Sequence, residues 1–384
     1  MKSLKICLLL GLTLTLSACA TITGRGTDNT PPPSPLVSYK AQFSPQRIWS
    51  SQAGKGTDGK YLNLIPAISG NAVYISDAKG LVTALNLQTG KTLWQSDLKV
   101  PLAAGPGVGE GIIVVGGNQA DMYALNQTDG KIRWHVNLSD QVTSVPVIAN
   151  GRVVVKTLDG HLWALNTDNG AIQWQQTHNV PVMVLAGGSQ ALIIGNKVIT
   201  GYADGKLAAY SLVGGTLLWT TAAANPQGVS DVEQMIDITA TPAAGAGDVM
   251  YVVTYQGNLS AVNVNTGNII WAQPLSSYTG LALSAQSVFV TDAAGSVYAF
   301  NRTNGQKLWQ QDNLKYRKLT APVVMGNTVI VADGEGYLHW LSQSDGSTIA
   351  RVAVDRNTPV TAAPVITANQ VYVLNTKGKV AGYK

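Results

Sequence analysis

The sequence predicts an all-β protein: an eight-bladed β-propeller of four-stranded antiparallel blades, closed by an N-terminal strand in the last blade. Three observations carry this prediction. A fifteen-residue pattern recurs eight times, at intervals of about 40 residues. A proline stands at a fixed distance before most copies. The last copy is truncated, while an unmatched copy of its missing strand lies near the start. A repeat of this period built from short alternating strands fits a propeller blade, which cannot bury its faces alone.

The pattern reads Gly, three residues, Ala, an apolar residue, Asn, three residues, Gly, three residues, Trp. Gly80, Ala84, Leu85, Asn86, Gly90 and Trp94 show it, as do Gly160, Ala164, Leu165, Asn166, Gly170 and Trp174. Gly257 to Trp271 and Gly295 to Trp309 repeat it. Looser copies run from Ala120 to Trp134, from Gly205 to Trp219 and from Gly336, where Ala350 stands at the Trp position. The truncated copy begins at Gly378.

Strand A of each blade follows from the prolines. Pro66, Pro106, Pro146, Pro322 and Pro364 lie fourteen residues before the first position of their copies, Ala120 in one and Gly in the others, and Pro242 misses by one. Proline is tolerated at a strand's first residue, where no ladder N–H is needed. Between Pro and Gly, Pro146-Val-Ile-Ala-Asn-Gly-Arg-Val-Val-Val-Lys156 reads as strand A, a hairpin turn at Asn150-Gly151 and strand B. Strand C follows the Gly. A second turn, as at Asp129-Gly130 or Asn304-Gly305, leads into strand D with its Trp. A ring there packs between blades and buries roughly 150–250 Å², so each Trp is structural. The copy at Gly378 lacks strand D, and Gln46-Arg47-Ile48-Trp49 matches one. Pairing the two removes both exposed edges.

The propeller is therefore expected over residues 44–384, behind a targeting segment and a tether. Lys2 and Lys5 precede an apolar run over residues 6–16, and Leu16-Ser17-Ala18-Cys19 resembles a bacterial lipobox. On that resemblance, residues 1–18 are a signal peptide, Cys19 carries lipid, and Ala20 after the Cys suggests the outer membrane. Residues 19–43, with Pro31-Pro-Pro-Ser-Pro35, read as an extended tether that leaves the propeller in the periplasm. Cys7 lies in the removed part, so no disulfide forms. The mature chain keeps 24 basic and 21 acidic residues and no basic cluster, which gives no case for nucleic acid.

No residue set announces chemistry. His135, His161, His178 and His339 sit in different blades without metal-ligand spacing. Gly105-Pro-Gly-Val-Gly-Glu-Gly111 looks like a phosphate loop, but Pro106 is expected to open a strand and no helix follows. No nucleophile and base stand together. The expectation is no catalytic residue, no metal and no cofactor.

Loop length is more informative. Trp94 to Pro106 and Trp134 to Pro146 are each twelve residues, Trp174 to Ala191 is seventeen and Trp219 to Pro242 is twenty-three. Two neighbouring D-to-A connections are thus enlarged on one face of the ring. The first holds Val180-Pro-Val-Met-Val-Leu-Ala186. The second holds Ser230-Asp-Val-Glu-Gln-Met-Ile-Asp237, in which Ser230 and Glu233 have capping-box spacing. Long loops on a rigid scaffold are where function concentrates. Residues 50–65 form another long interval, so length alone does not single out one patch.

The chain resembles the BamB family, lipoproteins of the bacterial outer-membrane β-barrel assembly machine, within the wider quinoprotein-like propellers. The lipobox, the eight repeats, the ring closure, the turns before the Trp strands and Glu335-Gly-Tyr-Leu-His-Trp340 carry the resemblance. It implies a non-enzymatic scaffold that binds the POTRA domains of BamA through the two enlarged loops and assists outer-membrane protein insertion. At the family's Leu-x-Leu-Arg-Gly motif stands Met183-Val-Leu185-Ala-Gly187, with Ala186 in place of Arg. At its Asp-Val-Asp stands Asp237-Ile-Thr239. The implied contact residues are Met183, Leu185 and Asp237. Nascent outer-membrane proteins are a further implied partner, taken up at strand edges by β-augmentation. Two other readings stand beside it. A pyrroloquinoline-quinone dehydrogenase shares the repeat, but such enzymes carry adjacent cysteines that this chain lacks. A propeller lipoprotein for a glycan or another envelope protein is the other.

Overall fold

The computed structural model describes residues 30–384 except 186, 227–229 and 231. Cys19 and most of the leader and tether therefore lie outside the described residues. Residues 33–384 form one compact unit. Among the described residues its regular elements are strands in eight sheets, each built on four antiparallel strands, the blades of a closed propeller. Blade one runs from Ala67–Ser69 to Thr92–Asp97, and blade seven from Val323–Met325 to Thr348–Ala353. In blade eight, Val365–Ile366, Val371–Leu374 and Lys379–Tyr383 are completed by Arg47–Gln52 from the other end of the chain. Trp49 faces Gly382 and Ser50 faces Ala381, and Gln46 and Lys384 exchange backbone hydrogen bonds of 2.9 Å.

The apolar cores lie between blades. One joins Val154, Leu162, Ala164 and Trp174 of blade three to Val198, Ala208 and Tyr210 of blade four. The repeated motif explains how each interface is built. Every strand-D Trp donates its Nε1–H to a backbone carbonyl of the following blade, just past the end of that blade's strand C. The acceptors are Leu87, Gln127, Thr167, Leu212, Val264, Arg302 and Gln343, at 2.8–3.1 Å. The ring then covers the glycine of that blade's C-to-D turn. At Gly130, with φ +70°, a Cβ would meet Trp94 Cε3 at 2.4 Å. The motif Asn caps the same turn: Asn86 Oδ1 accepts the N–H groups of Gln88 and Thr89 at 3.0 Å each. Asn, Gly and Trp of the motif are thus one joint shared between neighbouring blades.

Blade two departs from the expectation. Its first strand is Leu102–Gly109, so Pro106 lies inside the strand and does not open it. The ladder to the second strand shifts register on both sides of Ala104, which frees the proline from a pairing position. Asn63–Leu64 also pairs in parallel with this strand as a fifth member of the sheet.

Residues 34–43, assigned by composition to the tether, are laid against blade seven. Ser34 donates its N–H to Lys315 and Gln42 donates to Ile349, at 3.0 and 2.9 Å. Leu36 packs on the core between blades six and seven, and Phe43 meets Trp340 edge-on at 6.0 Å. A count of Pro, Thr and Gly conceals these spaced apolar residues. Beneath the strap lies a buried polar chain. Arg317 Nε donates to Asp333 Oδ2 at 2.7 Å, His339 Nε2 lies 2.9 Å from the same oxygen, and Arg351 Nε donates to His339 Nδ1 at 3.2 Å. Both arginines continue outward: Arg317 to the Ser34 carbonyl at 3.0 Å, Arg351 to that of Val37 at 3.3 Å and onto the Tyr39 ring at 4.9 Å.

Candidate functional site

The first enlarged loop leaves strand Ile172–Thr177 and enters Leu192–Ile194. The second leaves Leu217–Ala222 and enters Ala243–Ala244. They meet. Asp237 Oδ2 accepts the backbone N–H of Leu185 at 3.0 Å, so two of the three sequence-predicted contact residues are joined directly. Asp237 is only 4% exposed, and burial raises its carboxyl above the usual range while Leu185 N–H and Lys156 oppose the rise. The sequence reading expected this carboxylate to face a partner. The structure turns it inward to hold the neighbouring loop.

The base of the first loop is fixed by charged and aromatic groups. The His178 ring stacks on Tyr202 at 3.8 Å, with its Nε2 3.0 Å from Asp204 Oδ2. Lys206 reaches the same oxygen at 2.8 Å. Burial pushes the Asp204 carboxyl up, but His178 and Lys206 prevail and hold it down to about 2. Farther along, Ser189 Oγ accepts Lys156 Nζ at 3.0 Å. Burial drives Lys156 down to about 8, against the pull of Asp237. The second loop is tied to the same region. Asp204 and Ile236 form a parallel bridge, Ile238 N–H reaches Tyr202 at 3.2 Å, and Gln256 Nε2 reaches the Val232 carbonyl at 3.1 Å. The capping box forms reciprocally, with Ser230 N–H on Glu233 Oε2 at 3.1 Å and Glu233 N–H on Ser230 Oγ at 3.3 Å.

This framework leaves apolar side chains in water. Val182 is 99% exposed and Met183 42%, with Val180 beside them and Val232 on the second loop also exposed. Leu185 is half-buried, and Ala186 lies outside the described residues. Thr239, which departs from the family pattern, gives its hydroxyl to the Tyr278 carbonyl at 3.0 Å.

The third long interval, residues 50–65, sends one polar side chain toward the first loop while its tip at Tyr61 stays in water. Asn63 Nδ2 donates to the Thr143 carbonyl at 2.5 Å and approaches that of Gly188 at 3.4 Å. It thereby braces the first loop at Gly188. The histidines stay apart, each beside its own aspartate: His135 with Asp121, His161 with Asp159, His178 with Asp204 and His339 with Asp333. Among the described residues no group of three or more His, Cys, Asp or Glu is arranged to hold a metal ion.

Sequence reasoning missed Lys156, although a signal was present. It ends strand B of blade three, where the other blades carry Ser76, Gly116, Gly201, Val253, Thr291, Ala332 and Leu374. A lone cation in a column of small or apolar residues marks a position the propeller itself does not require.

Comparison with known proteins places these features. The family described as outer membrane protein assembly factor BamB matches residues 78–311 and 293–384. A protein of that name from Pseudomonas aeruginosa is 46% identical over 352 residues, 92% of each chain. The crystal structure of BamB from Moraxella catarrhalis superposes with a TM-score of 0.81 at 26% identity, covering 88% of this chain and 99% of that one. Quinohemoprotein alcohol dehydrogenase from Comamonas testosteroni reaches 0.67 at 13% identity over 88% of this chain and 76% of its own, a likeness of fold alone.

Proposed function

The chain belongs to the BamB family of outer membrane protein assembly factors, and from that premise we propose that it is a non-enzymatic scaffold whose two enlarged loops bind the POTRA domains of BamA. One observation carries the reading: Asp237 binds Leu185 N–H across the two loops and makes them a single surface from which Val182 and Met183 project. Exposed aliphatic side chains on a braced backbone suit anchors for a partner's groove, because little ordering is left for the moment of binding.

In this reading the polar residues act beneath the surface. Ala186 and Thr239 stand where the resemblance would put Arg and Asp, and Asp237 is consumed internally. The contact therefore rests on apolar anchors more than on ion pairs. Cys19 carries the lipid that holds the propeller at the outer membrane, facing the periplasm, and the scaffold assists insertion of nascent barrels.

The test is titration of the mature chain with purified BamA POTRA domains, beside a Met183→Asp variant. Saturable binding that the variant weakens at least tenfold supports the proposal. Equal affinity of the two proteins, or no binding by either, rejects it. Cys19→Ser should move the protein out of the outer-membrane fraction, and a variant still bearing lipid would refute that assignment.

A further inference from the structure

We propose that Lys156 is a positioning residue for the partner-binding surface, a buried cation that fastens the first loop at Ser189 while the buried Asp237 carboxylate fastens the same loop at Leu185. The inference rests on the reading of the two loops as the BamA surface and adds what fixes their shape.

Two oppositely charged groups grip one loop four residues apart. Both are buried, at 7% exposure for Lys156 and 4% for Asp237. A buried charge is costly without an opposite one, and Asp237 is the charge that offsets the burial of Lys156, so the two grips are coupled electrostatically. Lys156 satisfies its ammonium entirely within this apparatus. Besides Ser189 Oγ it donates to the Gly201 carbonyl at 2.6 Å and lies 5.5 Å above the Tyr202 ring. Tyr202 in turn stacks on His178 at the loop's base, and its carbonyl accepts Ile238 N–H from the second loop. Asp237 acts on the ammonium by charge and Tyr202 by its ring, while Tyr210 joins through the Tyr202 hydroxyl and Asp204, with His178 and Lys206, through the loop base. No other blade has a cation at the end of strand B. Its position follows the loops, since blade three is the blade from which the first enlarged connection leaves.

The experiment compares wild type, Lys156→Met, Asp237→Asn and the double variant of the full mature chain. Hydrogen exchange at the Leu185 amide reads loop positioning, and exchange in strand His161–Asn166 reports whether the blade stays folded. POTRA-domain titration reads function. The expected result for Lys156→Met is at least tenfold faster exchange at Leu185 and at least tenfold weaker POTRA binding, with the strand still protected. The double variant should show less than the combined effect of the two single changes, because it leaves no uncompensated charge. Should Lys156→Met fail to fold, the neutral double variant and Ser189→Ala take its place, with faster exchange across residues 185–189 expected. Wild-type protection of the loop in a folded variant would overturn the positioning role. Lost protection with wild-type POTRA affinity would uphold it and overturn the functional reading instead.

Discussion

Trp340 on the third strand of blade seven faces Ala350 on its fourth, the reverse of the pairing in the preceding blades. Elsewhere the small residue is on strand C and the Trp on strand D, as with Ala164 and Trp174 or Ala299 and Trp309. The reversal follows from ring closure. A strand-D Trp docks on the C-to-D turn of the next blade, and blade eight has none, because its third and fourth strands are Lys379–Tyr383 and Arg47–Gln52. A Trp at 350 would have no turn to cover. The bulk moves to Trp340, whose Nε1 has no hydrogen-bond partner among the described residues, and Phe43 of the incoming strap packs on it.

Ala350→Trp should therefore destabilise the propeller, although it restores the repeat consensus. Ala350 is fully buried with no joint to receive an indole, so overpacking is expected to cost about 1–3 kcal/mol. Trp174→Ala, at a complete joint, should cost about 3–5 kcal/mol. Chemical denaturation of both variants provides the check. An Ala350→Trp variant more stable than wild type would contradict the closure argument.

Most of the fold was legible because the joint is written as local sequence: Asn and Gly make a turn, and Trp covers it. The closing strand was legible because Trp49 keeps its motif far from the other copies. What escaped depended on contacts distant in the chain. The strap's Leu36, Tyr39 and Phe43 form no periodic pattern, and only blade seven gives them a surface. At the site, loop length picked out two connections that meet in the fold, and Met183 was read as exposed. The inward turn of Asp237 could not be seen, since its partner is a backbone N–H fifty-two residues away. Lys156 was hidden by the opposite habit, that of treating strand-B residues as interchangeable core.

Arg351→Met should release the strap while leaving the ring closed. This guanidinium touches His339, the Val37 carbonyl and the Tyr39 ring at once. Limited proteolysis should then cut within residues 34–43, a region that stays protected in the wild type. Asp333→Ala is the harsher change. It leaves Arg317 buried without its carboxylate and is expected to cost about 3–5 kcal/mol by thermal or chemical unfolding. A strap equally protected in Arg351→Met would show that its apolar residues suffice.

Acid should weaken the loop framework in a definite window. Asp204 is held at about 2 in the folded protein, below the ordinary 3.8, so its contacts with His178 and Lys206 stabilise the fold above pH 4. That contribution fades as pH falls from about 4 to 2. Asp237 works in the opposite direction, because burial raises its carboxyl and protonation relieves the cost of ionising it there. Asp204→Asn should flatten the acid limb of the stability–pH curve, and Asp237→Asn should steepen it. Identical acid limbs in wild type and Asp204→Asn would refute the assignment.

The most direct functional prediction separates surface anchors from the residues that hold them. Val182 and Met183 are exposed, so Val182→Asp and Met183→Asp should change stability by no more than about 0.5 kcal/mol. As anchors they should each weaken POTRA binding by roughly 2 kcal/mol. Leu185→Asp should behave differently. Its backbone N–H sits on the Asp237 carboxylate, and a second carboxylate there repels the first, so binding and melting temperature should fall together. Asp237→Ala removes the acceptor and leaves Lys156 without its nearest opposing charge, so it too should lower both. Titration and thermal melting on the same four variants distinguish the classes. If Val182→Asp and Met183→Asp remain folded and bind POTRA domains as wild type does, the partner docks elsewhere on the propeller, and these loops are only well-built connections.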